Sequence, residues 1–280
     1  MRRLIVTADD FGLALPVNEA VEEAHRRGVL TTAGLMIGAE AAEDAVERAR
    51  RLGSLEVGLH VTLVRGRPVL PPSEVPDLVD RNGVLRWNLV RAGVEFFFRP
   101  AVRRQMEREI RAQFEAFART GLKPGHVDVH NHMHLHPTVL ELVLSIGRDY
   151  GMRSMRLPAE PGAGPALAPW LALLRRRLRR HAIVTNDWLL GLADSGAMDA
   201  ERVAGLLETL PPGVTEIYFH PATRSCPAIE QALPGYRCRA EYEALVSDKV
   251  RRAIRAAGAE LTSFRHLWPE KEEQQRCCVQ

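Results

Sequence analysis

The sequence predicts an α/β fold, a distorted (β/α) barrel of about seven parallel strands with interleaved helices. Three observations carry that expectation. Short apolar runs alternate with amphipathic helical stretches, the pattern of a parallel sheet under helical cover. Polar and ionisable residues collect where the apolar runs end, which is where a barrel gathers its functional groups. No stretch has the composition of an inter-domain linker, so residues 1–270 are expected to form one domain, with 271–280 as a disordered tail. A doubly wound sheet is the alternative, but no G-x-G-x-x-G follows the first apolar run.

The elements follow in order. RLIVTAD is a short buried strand. PVNEAVEEAHRRG is a helix with Pro16 near its start and Gly28 at its end, the usual placement of both residues. TTAGLMIG is a second strand and EAAEDAVERARRLG a second helix, rich in good helix formers and closed by Gly53. LEVGLHV is the third strand. Residues 64–86 then carry Pro68, Pro71, Pro72 and Pro76 with Gly66 and Gly83, and read as a long irregular excursion of the kind that shapes clefts. A helix over about 102–119 keeps Ile110, Phe114 and Phe117 on one side. HVDVH is a strand, PTVLELVLSIGRDYG a helix, and MRSMRLP a strand. A Pro- and Gly-rich loop precedes a basic helix over 168–180. AIVTN, a helix near 198–209, GVTEIYFHP, a helical stretch near 239–257 and AELTSF complete the chain.

Composition excludes several classes. The 280 residues can bury a core without disulfides or structural metal. The 38 basic and 35 acidic residues leave a net charge of only +3, so no general polyanion attraction is expected. RRRLRR, Arg175 to Arg180, could meet phosphates or an anionic surface, but a charge run is more often a solvated helix face, and no aromatic nucleic-acid motif accompanies it. No apolar stretch approaches the roughly 18 residues of a membrane span, and MRRLIVTADD turns acidic too soon for a signal peptide. A cytoplasmic location is the resulting expectation. Cys226, Cys238, Cys277 and Cys278 fit no paired zinc spacing.

Residues Gly125 to Pro137, GHVDVHNHMHLHP, hold five histidines and one aspartate. Asp9 and Asp10 end the first strand, His60 the third, Asp128 and His130 a later one, and His220 a near-final one. Four strand ends can converge on one face. One aspartate and two histidines are a common ligand set for a divalent ion, and Asp10, His60 and His130 are the expected set. Asp9 is the candidate base and His220 the candidate acid. An extended backbone turns adjacent side chains apart, so using both aspartates requires a bend or bulge after Ala8, helped by Gly12. The bland readings stand beside these. An Asp–Asp pair is equally a helix cap or turn, and His60 alone can be a satisfied core histidine. His126 reads as structural, and Asp128 as a ligand-side carboxylate that fixes a histidine tautomer. By strand period His130, His132, His134 and His136 would share a side; His132 and His134 are candidates for substrate. Trp87 and Phe97, in an apolar rim with Phe96 and Phe98, are further substrate candidates or simple core. Arg156 and Arg224 meet either the carboxylate centre or surface partners.

TADDFG, the GLH segment and HVDVHNHMHLHP followed by a helix resemble the YdjC-like carbohydrate deacetylases over nearly the whole chain. That resemblance implies a distorted (β/α) barrel that removes N-acetyl groups from amino sugars, with Asp10, His60 and His130 as metal ligands, Asp9 as base and His220 as the late histidine. VNEAVEEAHRRGVLTTAGLMIG, EIRAQFEAFARTGL and YGMRSMRLPAEP are similar to the hopanoid-associated branch, which implies an N-acetylglucosaminyl bacteriohopanetetrol substrate; a chitooligosaccharide is the alternative, and a non-catalytic sugar- or metal-binding scaffold the reading of another class. The implied cofactor is one divalent ion, zinc first, with magnesium, manganese, nickel and cobalt compatible. The implied partner is an N-acetylglucosamine-bearing small molecule or glycolipid. The composition of the apolar Phe96–Phe98 region and the basic Arg175–Arg180 helix would suit a membrane-anchored substrate and peripheral contact with the inner membrane surface. Nucleic acid is not expected, and a dimer is left open.

Overall fold

The structure, a computed structural model, describes residues 1–162, 164 and 167–268; the expected tail at 271–280 lies outside them. Its seven strands are β1 (Arg2–Phe11), β2 (Thr32–Leu35), β3 (Glu56–Val61), β4 (Pro124–Val129), β5 (Trp188–Leu190), β6 (Gly213–Phe219) and β7 (Ala259–Thr262). They form one curled, partially open parallel sheet in the order β4-β3-β2-β1-β6-β5. β7 is the exception to a simple path. It pairs with Arg2–Ile5 of β1, while β2 pairs with Thr7 to Phe11 on the same strand. β6 runs along the other side of β1 from Arg2 to Ala8. From Leu4 onward every residue of β1 is buried, as a parallel strand covered on both faces requires.

The helices are α1 (Leu15–Arg27), α2 (Ala42–Leu52), α3 (Leu89–Phe98), α4 (Pro100–Arg119), α5 (Pro137–Asp149), α6 (Ala168–Arg180), α7 (Ala200–Glu208), α8 (Pro227–Ala232), α9 (Cys238–Val246) and α10 (Asp248–Ala256). α3 occupies a stretch for which the sequence carries no expectation: Asn88 caps it by accepting from the Arg91 N–H at 2.9 Å. Two sequence expectations need correction. The stretch at 239–257 is two helices, because Ser247 leaves helical backbone and caps α10. MRSMRLP and AIVTN lie in the barrel wall but join it only by isolated bridges, Val127 to Met155 and Ser154 to Val184. Their ladder stops because the Asn186 side chain takes the place of a strand: it accepts the Leu157 N–H at 2.7 Å and donates to the Leu157 carbonyl at 2.8 Å. The short strand β5 begins beyond AIVTN. Among the described residues no helix is long and apolar enough to cross a membrane.

Two glycines make room for what the barrel holds. Gly34 and Gly58 are register partners on β2 and β3. A Cβ on Gly58 would stand 2.4 Å from His126 Nδ1 and 2.5 Å from the His126 carbonyl oxygen. The second atom is backbone and cannot swing away. Gly58→Ala is therefore expected to lower unfolding free energy by about 1–3 kcal/mol through forced strand displacement. Urea unfolding measures this, and an unchanged midpoint would show that β3 and β4 have slack.

Candidate active site

The site begins with a bulge. The register of β1 against β2 slips between Ala8 and Phe11. Asp10 takes φ +60, in the left-handed region that aspartate tolerates better than most residues. The turn is held by Leu13 N–H donating to the Asp10 carbonyl at 2.9 Å and Gly12 N–H donating to Asn18 Oδ1 at 2.8 Å. Asn18 in turn donates to Ala41 and Asp44, tying this corner to α2. The bend required after Ala8 is present, and it buries both aspartates at the C-terminal end of β1.

His60 and Asp128 are register partners at the ends of β3 and β4. Asp128 Oδ2 accepts from His60 Nδ1 at 2.8 Å, which leaves the Nε2 lone pair facing inward. His60 Nε2 lies 3.1 Å from His130 Nδ1 and 3.3 Å from Asp10 Oδ1, and His130 Nδ1 lies 3.1 Å from the same oxygen. These are three potential acceptors drawn together. Neither carboxylate oxygen of Asp10 has a hydrogen-bond partner, although both are buried. Ligand atoms about 2.0–2.2 Å from a divalent ion stand about 2.8–3.6 Å from each other at octahedral to tetrahedral angles. The residues fit such an ion. Burial opposes ionisation of Asp10, but His130 and His60 outweigh it and hold the carboxyl well below the usual range. Burial likewise disfavours a charged His60, yet Asp128 and Asp10 hold its pKa well above that of free histidine. Ion binding therefore displaces a proton from this cluster.

Beneath it lies Arg156, fully buried. Its guanidinium donates to both oxygens of Asp9 at 2.7 Å, to Glu216 at 2.8 and 3.0 Å, and meets Asp128 at 2.8 Å. Burial works against its charge, and Asp9, Glu216 and Asp128 override it, raising the pKa further. Asp9, His60 and Asp128 also come within ligand distance of one another, but the guanidinium already stands against both carboxylates. Arg156 thus sits below Asp9 rather than on the cleft wall where a substrate contact belongs.

A cleft of about 230 Å³ opens over these groups, lined by Asp9, His60, His130, His132, Tyr218 and His220 among others. The His220 ring packs edge-on against Tyr218 and Tyr236, and its backbone N–H donates to buried Glu241. The even spacing of the histidines does not put them on one side. Residues 130–135 form a 3-10 turn in which Asn131 and His132 both have φ +52, so the side chains fan out. His132 reaches the cleft, with Nε2 3.5 Å from the Tyr218 hydroxyl. His134 is sealed away from the cleft, and burial pushes its pKa down to about 3. His136 faces Phe96 and Phe97.

Three expected site residues are elsewhere. Trp87 lines a neighbouring hollow with Arg65 stacked on it. Phe97 is exposed on α3 against Phe98. Arg224 is exposed and paired with Glu19. Glu216 and Tyr218 escaped notice, yet the strand period that puts His220 on the inner face puts them there too. Glu241 gave no signal, since a glutamate in a helix reads as solvated.

A family model for YdjC-like proteins matches residues 3–256. The chain belongs to the YdjC-like family. A carbohydrate deacetylase of Brevibacillus brevis is 31% identical over 95% of this chain and 99% of its own. A chitooligosaccharide deacetylase of Proteus mirabilis is 29% identical over 94% and 98%. The crystal structure of an Enterococcus faecalis protein provisionally named for cellobiose-phosphate cleavage superposes with a TM-score of 0.78 at 28% identity, covering 96% of this chain and 99% of that one. For this YdjC-like chain, removal of the guanidinium leaves Asp9, Asp128 and Glu216 crowded and uncompensated. Arg156→Leu is expected to cost about 3–5 kcal/mol of stability. Chemical denaturation reads the loss; a variant as stable as the parent would mean the carboxylates find other partners.

Proposed function

We propose that this YdjC-like protein is a metal-dependent hydrolase that removes the acetyl group from an N-acetylated sugar. One observation carries it: three buried acceptors converge at ligand spacing beside a carboxylate, Asp9, and a histidine, His220, that face the same cleft. The relatives named for carbohydrate and chitooligosaccharide deacetylation support the substrate class. Asp10, His60 and His130 hold the ion, with zinc the first choice for two nitrogens and one oxygen, and magnesium, manganese, nickel and cobalt alternatives. The bound ion supplies a Lewis acid that polarises the acetamide carbonyl and acidifies water.

The chain's own residues supply the rest. Asp9, its carboxylate plane fixed by two bonds from Arg156, takes a proton from the water that adds to the carbonyl carbon. His220, braced between two tyrosine rings, gives a proton to the amine as the C–N bond breaks, and acetate leaves. His132 and Tyr218 offer polar contacts to the sugar on the cleft wall.

The Proteus relative, named a chitooligosaccharide deacetylase, supports N-acetylglucosamine in a chitooligosaccharide as the substrate. A lipid-borne N-acetylglucosamine, such as N-acetylglucosaminyl bacteriohopanetetrol, is the second reading. Leu89 at the start of α3 lines the cleft, and Val90, Val94, Phe97 and Phe98 continue that helix as exposed apolar side chains suited to a lipid or membrane surface. Acetate release from the two substrates, measured side by side on metal-defined enzyme, decides between them; release from neither rejects the activity. Asp9→Asn is expected to keep its metal and lose turnover by about 10²–10⁴-fold. His60→Ala is expected to lose the metal. Equal metal content in the two purified variants would refute the division of roles.

A further inference from the structure

Beside the catalytic cleft, the same end of the barrel carries a second hollow of about 120 Å³, walled by Leu13, Met36, Arg65, Trp87, Ala228 and Gln231 among others. Its walls follow β1, β2, β3 and β6, so it opens on the face that bears Asp10, His60 and His220. The two spaces share a partition. Trp87 and Ala232 face the hollow, while Leu89 and Leu233, next along the same segments, face the catalytic cleft.

Arg65 is the member that points to a ligand. Its guanidinium lies 5.5 Å over the Trp87 ring. Its Nε is buried and has no hydrogen-bond partner. Arg67 beside it is paired with Glu40 at 2.7 Å, but no ion pair engages Arg65 among the described residues. Nε itself is closed off, but the two terminal nitrogens are not, and no side-chain hydrogen bond or ion pair engages them among the described residues, so a molecule in the hollow can supply their acceptors. The remaining walls narrow the chemistry. Leu13, Met36 and the indole offer an apolar surface for the C–H face of a ring, and Arg65, Gln231 and Glu40 offer donors and acceptors for hydroxyls. Glu40 at the rim disfavours an anionic group, and the polar set disfavours an alkyl chain.

Resting on the reading of this protein as a sugar deacetylase, we infer that the hollow is the subsite for a second sugar ring, linked to the ring that is deacetylated. The excursion between β3 and α3 thereby sets the minimum length of the substrate. Arg65 holds the second ring by its hydroxyls and Trp87 packs beneath Arg65 to fix it.

The test compares acetate release from N-acetylglucosamine, N,N′-diacetylchitobiose and octyl N-acetylglucosaminide, with calorimetric binding of the disaccharide run in parallel. The parent is expected to favour the disaccharide over the monosaccharide. Arg65→Ala is expected to cut that preference on the order of tenfold, the loss typical of a charge-assisted hydrogen bond. Gln231→Phe, an exposed position that fills the hollow without entering the core, is expected to do the same. A preference untouched by both variants overturns the inference, as does a preference for the octyl glycoside that Arg65→Ala leaves intact. If no substrate releases acetate, the deacetylase reading fails. Disaccharide binding that weakens in both variants then still supports the subsite, and binding unchanged in them rejects it.

Discussion

A single buried guanidinium holds together the polar interior of this barrel. Arg156 bonds Asp9 from β1 and Glu216 from β6 and meets Asp128 from β4. β4 lies at one end of the strand order and β6 near the other. The cation therefore stands where the ladders fail, and joins by charge the two sides of the wall that backbone bonding leaves incompletely closed. Desolvating this many ionised groups is expensive, and only dense mutual contact makes it tolerable. The compensation is incomplete. Asp9, Asp128 and Glu216 are three carboxylates around one arginine, and Asp10 adds a fourth beside His60 and His130, so the interior retains negative character that suits a divalent cation.

Much of the fold was readable because parallel strands and amphipathic helices differ in period. The polar residues ending each apolar run also marked the correct face, and the need for a bulge beside Asp10 followed from the alternation of side chains along an extended chain. Legibility failed where backbone left those regular states. HNHMHL has the histidine spacing of a strand, but consecutive left-handed residues at Asn131 and His132 coil it; Asn131, tolerant of that conformation, is the one local sign of the turn. MRSMRLP looked like a strand and lies where a strand would, yet a side-chain amide usurps its pairing.

Long-range pairing was harder still. Arginines at 156 and 224 look alike in sequence, and burial separates them completely: one lies among three carboxylates and the other meets solvent. Trp87 and Phe97 both follow the same irregular segment. α3 turns Phe97 outward, while Trp87 remains in the neighbouring wall. Sequence proximity to a loop says little about which of two adjacent hollows a ring will enter.

The pairing of β1 with both β6 and β7 has a consequence for biogenesis. β1 is synthesised well before its neighbours at Gly213–Phe219 and Ala259–Thr262, and cannot pair with them until those distant segments have been made. Until then an apolar ribbon holding Asp9 and Asp10 has β2 alone for company, and contacts so remote in sequence form slowly. The nascent protein must shelter the strand that bears its aspartate pair until those distant partners emerge.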